Sequence, residues 1–380
     1  MKLININKKR NRIKITLFGS IKINLICRKR ILCKDFKNYI HNKIKSYLNN
    51  NFSDEIYFYS NPYCGNKWEF SFKGNNANKL LRLFHKIYDI NSVKQCYDLF
   101  ENQESKNLYI DVLLFRLLGP QKVRLPLSEI SKWENIKKIH DKLFFQQFDE
   151  TKNIYNLSSM GYDIRIITSK HWIFENLCTY QYIYENIKPK EGDFVIDGGA
   201  CFGDNSLCFA SMVGPKGHVY SFELLENNIA IFNKNIELNS KYKENITIIK
   251  KALYKNSKED FSIIPSGGAT RINNERSSCK EKIKTLSLDD AVSQGEIKRI
   301  DFIKLDIEGA ELNCLEGAKN SIKTFKPQMA ISLYHCDSDY CDILLYLKSL
   351  VPEYKFYFNH HTAIAWESIL YVTTDIAEPL

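Results

Sequence analysis

Residues 193–204, with the sequence DFVIDGGACFGD, have the composition of a turn whose backbone binds a small charged ligand. A short apolar run before Asp197 predicts a buried strand, and the glycines after it permit a tight turn with close backbone approach. The segment 217–223 predicts a second strand that ends in Glu223, where a carboxylate can accept hydrogen bonds from a ribose diol. The candidate ligand-binding residues of this region are Asp197, Gly198, Gly199, Ala200, Gly203, Asp204 and Glu223.

The acidic residue at the strand edge distinguishes between two cofactors. Asp197 would repel the pyrophosphate of a dinucleotide, whereas it would attract the cationic groups of S-adenosylmethionine. The dinucleotide pattern also has glycine where this chain has Ala200. We therefore predict S-adenosylmethionine as the cofactor, with Ala252 and Leu253 near its adenine. An NAD site and a strand–turn–helix without a ligand are the alternatives.

A second group of reactive side chains follows two later strands. Asp306 ends the segment DFIKLD and is followed closely by Glu308, while His335 ends the segment ISLYH. Methyl transfer from a sulfonium to a hydroxyl depends on positioning and is accelerated by a general base. We therefore predict that His335, Asp306 and Glu308 are catalytic, with His335 as the base. Asp306 is also counted among the cofactor-binding residues.

The other polar residues of these segments have more than one interpretation. Glu311 is interpreted as a first-turn acid favoured by the helix dipole. A salt bridge explains Lys304 at least as well as catalysis does. His360, His361 and Glu367 are further candidates at the same edge. Metal binding by Asp306, Glu308 and His335 is an alternative that their spacing does not require, and no metal is predicted.

The C-terminal half alternates strands with helices, which predicts a parallel sheet covered on both faces. Strands are expected near 193–197, 218–223, 246–250, 301–306 and 328–333, and helices near 204–213, 226–239, 287–294, 310–325 and 339–349. The last two strands, 354–361 and 366–374, are joined by a short link and must pair antiparallel. The predicted fold class is α/β, with a Rossmann-like class I methyltransferase sheet whose parallel core ends in an antiparallel hairpin.

The N-terminal half is predicted to be a mixed, largely helical region. We divide the chain into an α+β segment of unclear role (1–85), a mainly helical region (86–185) and a cofactor-binding methyltransferase domain (186–380). Within these, the pattern predicts strands over 15–27, a hairpin over 55–76, an amphipathic helix over 173–187 and a glycine-containing loop over 264–274.

From about residue 105 to 374 the sequence resembles the FkbM family of S-adenosylmethionine-dependent methyltransferases. The resemblance rests on these segments: VIDGGACFGDNSLCFA, VYSFE, KTLSLDD, DFIKLDIEGAELNCLEGA and ISLYH. It implies O-methylation of a hydroxyl, of a sugar or surface-glycan precursor. The alternatives are an NAD-dependent oxidoreductase and a non-catalytic cofactor-binding relative.

Composition limits the cellular setting and the partners. The formal net charge is +10, and the first 47 residues are notably basic. A solvated basic surface is the first interpretation of this segment, and peripheral contact with an anionic membrane surface or attraction to phosphorylated substrates is the second. No nucleic-acid-binding module is recognisable, so the expected partner is a small-molecule or glycan acceptor. The 11 cysteines form no CxxC pair, and no apolar run is long enough for a membrane span, so we expect a cytoplasmic protein. The oligomeric state is left open.

Overall fold

The computed structural model describes residues 4–9, 12–17, 21–26, 28–50, 76–128, 130–264, 271–273 and 282–375. The hairpin expected over 55–76 and most of the loop expected over 264–274 lie outside the described residues. The described ranges include every site residue predicted from the sequence.

The N-terminal part begins with an antiparallel meander and continues as helices. The meander consists of β1 (Ile4–Lys9), β2 (Arg12–Leu17) and β3 (Ile21–Ile26). The helices are α1 (Arg28–Leu48), α2 (Ala77–Ile87), α3 (Ile90–Leu99) and α4 (Gln103–Leu118). Asn76, Asp89 and Asn102 cap α2, α3 and α4 because their side chains accept backbone N–H groups of the first turn.

These N-terminal helices share one apolar core with the C-terminal half. Ile40 and Ile44 of α1 and Phe84 of α2 are fully buried and belong to the same continuous cluster as Leu344. The boundary placed at 85/86 falls inside α2. The described residues on both sides of that boundary therefore contribute to a common core.

Between this helical region and the central sheet lies a smaller α/β element. It consists of α5 (Ile130–Leu143), an antiparallel sheet of β4 (Phe144–Gln147), β5 (Lys152–Asn156) and β6 (Arg165–Ser169), and α6 (Lys170–Glu175). The region predicted to be mainly helical therefore also contains a sheet.

The helix expected over 173–187 is wrong beyond Glu175, where α6 ends. The chain then turns, and Gln181 and Tyr182 are buried, each 2% exposed. Their polar ends bind acidic side chains at the edge of the central sheet. These inward contacts explain why the segment does not continue as a surface helix.

The strands of the C-terminal half, in chain order, are β7 (Phe194–Gly198), β8 (His218–Phe222), β9 (Ile246–Ile249), β10 (Ala252–Leu253), β11 (Asp260–Ile264), β12 (Arg271–Asn273), β13 (Lys282–Leu286), β14 (Phe302–Leu305), β15 (Gln328–Ser332), β16 (Lys355–His360) and β17 (Ser368–Thr373). Seven of them form the central sheet in the order β16-β17-β15-β14-β7-β8-β9. Strands β10 to β13 form a separate small sheet in the order β10-β13-β11-β12.

The central sheet is parallel except for β17, which runs antiparallel to both β15 and β16. This order and this single reversed strand are the layout of class I methyltransferases, as predicted. Val195, Ile303 and Ile331 are fully buried, in keeping with strands that are covered by helices on both faces.

The helices that cover the sheet are α7 (Asp204–Val213), α8 (Glu226–Leu238), α9 (Leu288–Ser293), α10 (Glu311–Glu316), α11 (Lys319–Phe325) and α12 (Asp339–Leu350). The single helix expected over 310–325 is divided at Gly317. A Cβ at that position would lie 2.2 Å from the backbone oxygen of Tyr254, so only glycine allows this close approach. Within the described ranges, no helix is both long and apolar enough to cross a bilayer.

Candidate functional site

The turn after β7 requires glycine at two positions. Gly199 and Gly203 have φ angles of +79° and +77°, in the left-handed region that disfavours other residues. A Cβ at Gly199 would lie 1.9 Å from the backbone oxygen of Asp306, and one at Gly203 would lie 2.0 Å from the Phe232 ring. The turn therefore lies directly against the end of β14, at the carboxyl edge of the sheet.

The amides of this turn are engaged within the protein. The N–H groups of Gly199 and Ala200 both donate to the backbone oxygen of Phe222, at 3.1 and 2.9 Å. The sequence suggested a turn whose backbone binds the ligand, but these two donors hold the turn against the end of β8 instead. These two N–H groups are therefore not available to a ligand, and binding of a ligand by the rest of the turn stays a prediction.

Asp197 and Lys304 form a buried ion pair beneath the turn. Lys304 Nζ lies 3.1 Å from Asp197 Oδ1, and the two side chains are 2% and 0% exposed. Ser206 donates a hydrogen bond of 2.5 Å to the other carboxylate oxygen of Asp197. Lys304 also donates to the backbone oxygens of Gly198 and Gly199, at 2.9 and 2.7 Å. The geometry thus supports the salt-bridge interpretation of Lys304, and direct contact between Asp197 and a cofactor stays a prediction.

Burial alone would lower the pKa of Lys304, but the nearby carboxylates of Asp197 and Asp306 outweigh it and raise that pKa. Asp204, the first residue of α7, is also buried, at 3% exposure. Its burial and the charge of Asp197 raise the pKa of Asp204 to about 6. Asp197 and Asp204 therefore lie near the same buried cation, Lys304.

Glu223 joins the end of β8 to the glycine turn. Its Oε2 accepts a hydrogen bond from the Cys201 N–H, and its Oε1 accepts from the N–H groups of Leu224 and Leu225, each at 2.8 Å. Burial raises the pKa of Glu223. A carboxylate has about four acceptor positions, and the Asn228 side chain also hydrogen-bonds to this one, so contact between Glu223 and a ribose diol stays a prediction. Glu223 thus holds the glycine turn and the start of the segment after β8.

Ala252 and Leu253, expected near the adenine, form β10 and are each 4% exposed. Leu253 lies under Gly198, where an added Cβ would meet its Cδ1 at 3.0 Å. Ala252 packs with Leu224 and Leu225, which follow Glu223. These residues form an apolar wall next to the turn.

The three predicted catalytic residues come together at the end of β14 and β15. His335 Nε2 lies 3.4 Å from Asp306 Oδ1 and 3.6 Å from Glu308 Oε2, while Nδ1 lies 2.9 Å from Glu311 Oε1. None of these contacts is aligned as a hydrogen bond of the imidazole. We call Asp306, Glu308, Glu311 and His335 the carboxylate–histidine cluster.

The charges of this cluster control its protonation. Burial lowers the pKa of His335, but the negative charges of Glu311, Asp306 and Glu308 outweigh it and raise that pKa to about 10. Burial raises the pKa of Asp306, whereas the charges of His335 and Lys304 lower it overall. The sequence predicts His335 as the base, but the imidazole is mainly protonated at neutral pH and must lose this proton before it can accept another.

Glu311 has a larger role than that of a first-turn acid. It is fully buried and accepts hydrogen bonds from the N–H groups of Ile307 and Gly309, at 2.8 and 3.0 Å. It thereby fixes the loop that carries Glu308, whose φ is +58°. Within the described ranges, donor atoms of Asp306, Glu311 and His335 also lie within 4.8 Å of one another, a spacing that a metal ion could use. Metal binding here therefore stays an alternative to the ion-pair cluster.

Two tyrosines that the sequence does not predict at the site hold Asp306. Tyr182 donates a hydrogen bond of 2.8 Å to one carboxylate oxygen, and Tyr334 donates one of 3.0 Å to the other. Tyr334 directly precedes His335, so its position next to the predicted base was a usable signal. Tyr182 lies more than a hundred residues before Asp306, and nothing in the sequence links the two.

The other histidine candidates are structural. His360 contacts Ser368 Oγ at 2.8 Å and the Ile364 backbone oxygen at 2.7 Å, and burial lowers its pKa to about 3. His361 contacts the Tyr371 hydroxyl at 2.8 Å, and burial lowers its pKa to about 4. Both rings are therefore neutral and enclosed. Glu367 instead accepts a hydrogen bond from Gln181 near the cluster.

Comparisons with known proteins agree with this architecture. Residues 197–356 match the family model described as a methyltransferase FkbM domain. The hexuronic acid methyltransferase AglP of Haloferax volcanii is 29% identical over 141 residues, which cover 36% of this chain and 54% of AglP. The chain therefore spans about half the length of this curated relative.

Two solved structures are also similar. Methyltransferase FkbM from Methylobacillus flagellatus KT has a TM-score of 0.48 and 19% identity, covering 78% of this chain and 60% of its own. Fibrillarin from Aeropyrum pernix, solved with natively bound S-adenosyl-L-methionine, has a TM-score of 0.32 and 12% identity, covering 48% and 67%. Residues 197–356 are therefore similar to the methyltransferase FkbM domain, and the order of the central sheet agrees with this match.

Proposed function

We propose that the protein transfers the methyl group of S-adenosylmethionine to a hydroxyl of a sugar or surface-glycan precursor. The observation that carries the proposal is the position of the carboxylate–histidine cluster, which directly adjoins the glycine turn at the carboxyl edge of the sheet. The similarity to a hexuronic acid methyltransferase supports a sugar acceptor.

The residues at the turn fit S-adenosylmethionine. Asp197 is a buried acid whose Oδ1 is paired with Lys304, and the sites of Gly199 and Gly203 leave no room for a side chain. Asp204 adds a second acid on the same side, which suits a cationic ligand. The residues that would hold the cofactor are Asp197, Gly198, Gly199, Ala200, Gly203, Asp204, Glu223, Ala252, Leu253 and Asp306. When bound, the cofactor supplies an electrophilic methyl group.

The cluster supplies what the acceptor needs. A hydroxyl is a poor nucleophile while protonated, so a neutral His335 Nε2 next to it would accept the proton. Asp306 and Glu308 flank the same nitrogen and stabilise the imidazolium that forms. Tyr182 and Tyr334 keep the Asp306 carboxylate in place during this step.

Ligand binding and methyl transfer distinguish the proposed enzyme from an NAD-dependent oxidoreductase and from a non-catalytic relative. An NAD-dependent oxidoreductase would bind NADH in calorimetry, whereas the proposed enzyme binds S-adenosylhomocysteine. Incubation with methyl-labelled cofactor and fractionated cell glycans should transfer the label to a sugar. Label that survives alkaline treatment identifies a methyl ether, whereas a methyl ester of a uronic acid would be hydrolysed. Binding without transfer to any fraction would favour a non-catalytic relative.

The expected partners follow from the same proposal. The acceptor is a small molecule or glycan, and no nucleic acid takes part. We propose peripheral contact between the basic N-terminal segment and an anionic membrane surface, because lysines and arginines near such a surface are attracted to it.

Gly199→Ala should abolish measurable binding of S-adenosylhomocysteine by calorimetry. The new Cβ would overlap the backbone oxygen of Asp306 and force the turn away from β14. Gly295→Ala is the matched control, because Gly295 has a similar φ of +76° but nothing within 4 Å of its Cβ site. Equal affinity in the two variants would show that the close approach of Gly199 to Asp306 does not control cofactor binding.

Glu223→Gln should weaken binding of S-adenosylhomocysteine, and Glu223→Ala should weaken it further. An amide loses charge-assisted hydrogen bonds worth about 1.5–3 kcal/mol each, and alanine also releases the turn at Cys201. Calorimetry measures both affinities, and thermal unfolding reports how much of the loss is structural. Unchanged affinity in both variants would remove Glu223 from the cofactor site.

A further inference from the structure

Two loops form the acceptor side of the predicted active site. One follows β15 and carries Tyr334 and His335, and the other, residues 361–367, joins β16 to β17 and ends in Glu367. They emerge from neighbouring strands at the same edge of the sheet. Their separation therefore determines the space between the cluster and Glu367.

Helix α4 runs from the edge strand of the sheet to these loops. Near its start, Ser105 Oγ accepts a hydrogen bond of 2.9 Å from the N–H of Phe358 and donates one of 3.2 Å to the oxygen of the same residue. Near its end lies Arg116, in the last turn. The helix is thus attached to β16, and its cationic end is fixed relative to the sheet.

Arg116 contacts both loops with a single guanidinium. Its Nε and Nη2 lie 3.0 and 2.9 Å from Asp337 Oδ1, in the loop after β15. Its Nη1 donates to the backbone oxygens of Ala365 at 3.2 Å and Tyr334 at 3.5 Å. The guanidinium also lies over the Tyr340 ring, 5.4 Å from its centroid.

Neighbouring groups reinforce this arrangement. Tyr88, which directly follows α2, donates a hydrogen bond of 3.2 Å to the same Asp337 oxygen. The nearby tyrosines and Asp337 raise the pKa of Arg116 against the effect of burial, so the guanidinium keeps its charge. A planar, permanently charged fork is suited to bridging a carboxylate and two carbonyl groups at fixed angles.

We propose that Arg116 is a positioning residue for methyl transfer, which holds the two acceptor-side loops at the separation that places His335 and Tyr334 for the acceptor hydroxyl. It lies outside the 197–356 family match, so the N-terminal helices complete the acceptor side of the site. The proposal rests on the proposed function, because the role of these loops presumes an acceptor there.

The test is Arg116→Lys, which keeps the charge but lacks the fork. Arg299→Lys is the matched control, because Arg299 also binds an aspartate (Asp301 at 2.7 Å), a backbone oxygen (Gly192 at 2.9 Å) and an aromatic ring (Phe194 at 5.0 Å). Those partners lie at the opposite, amino-terminal edge of β7 and β14. Both variants are measured in the full chain for thermal stability, S-adenosylhomocysteine affinity and methyl transfer to the glycan fraction that wild type labels.

A second measurement follows the loop without any acceptor. NMR of ¹³C-labelled histidines measures the pH midpoint at which the His335 ring titrates, and the His335 signal is identified by its absence in His335→Gln. This midpoint reports the distance between the ring and the carboxylates around it. In Arg116→Lys the midpoint of His335 should fall by about one pH unit or more, because opposite charges within a few ångströms shift a pKa by that order. Methyl transfer should fall by about 10-fold or more through misplacement, with unchanged cofactor affinity.

Arg299→Lys should change neither the titration midpoint of His335 nor the rate of methyl transfer, whatever its effect on thermal stability. The proposal is overturned if Arg116→Lys leaves both quantities at their wild-type values, or if the control changes them equally. If wild type labels no glycan, the proposed function fails while the NMR midpoint still decides whether Arg116 positions the loop.

Discussion

His335→Gln should lower the rate of methyl transfer by about 10²-fold or more while leaving affinity for S-adenosylhomocysteine unchanged. Glutamine retains a polar side chain that can orient a hydroxyl, but it cannot accept the proton. Because His335 is mainly protonated at neutral pH, the wild-type rate should also rise with pH toward about 10 as the neutral form accumulates. Steady-state rates of both proteins from about pH 6 to about pH 10, the range over which His335 titrates, measure both effects.

The pH profile of the variant is the control for this assignment. His335→Gln should lose the alkaline rise, since no imidazole remains to titrate. Near-normal turnover in the variant, or an alkaline rise that persists in it, would transfer the role of base to Asp306 or Glu308. Unchanged affinity for S-adenosylhomocysteine in the variant would show that a lower rate reflects the missing base and not disruption of the cofactor site.

The same ionisation has a consequence for stability. The pKa of His335 is raised from 6.5 to about 10 in the folded protein, so its charge stabilises the fold fully below pH 6.5. This contribution is lost as pH rises through about 10, where the folded state also releases the proton. The difference in free energy of unfolding between wild type and His335→Gln should therefore be largest in mild acid and shrink toward alkaline pH. Urea unfolding at both ends of this range measures it.

Lys304→Met should reduce the free energy of unfolding by about 3–5 kcal/mol, because removing one partner of a buried ion pair leaves the other charge uncompensated. Asp197 is fully buried, and Ser206 alone would remain to bind its carboxylate. The loss of two hydrogen bonds to the carbonyl groups of Gly198 and Gly199 should also disturb the turn. Urea unfolding and S-adenosylhomocysteine calorimetry measure the two consequences.

The double variant Asp197→Asn/Lys304→Met is the control for this prediction. Without the carboxylate there is no uncompensated charge, so the double variant should be more stable than Lys304→Met alone. It should still bind the cofactor poorly. A loss below about 1 kcal/mol in Lys304→Met, the range of exposed ion pairs, would contradict the buried pairing.

Much of the fold was predictable from local sequence patterns. The five parallel strands followed from apolar runs alternating with helical periodicity, and the short link before β17 forced the antiparallel end of the sheet. For the segment from 173 to 187, the same local pattern gave a wrong prediction. Its spacing of apolar residues predicted a helix, but Gln181 and Tyr182 fold inward to bind distant side chains, and no local pattern encodes such contacts.

The candidate site was likewise predictable only in part. The sequence by itself determined which polar residues end the strands, because parallel strands bring Asp197, Asp306 and His335 to one edge in any sheet of this class. Only the tertiary structure decided what surrounds them. It paired Asp197 with Lys304, placed His335 among three carboxylates and so raised its pKa to about 10, and attached the acceptor-side loops to Arg116. Burial and charge depend on neighbours from distant parts of the chain, and these become adjacent only when the chain folds.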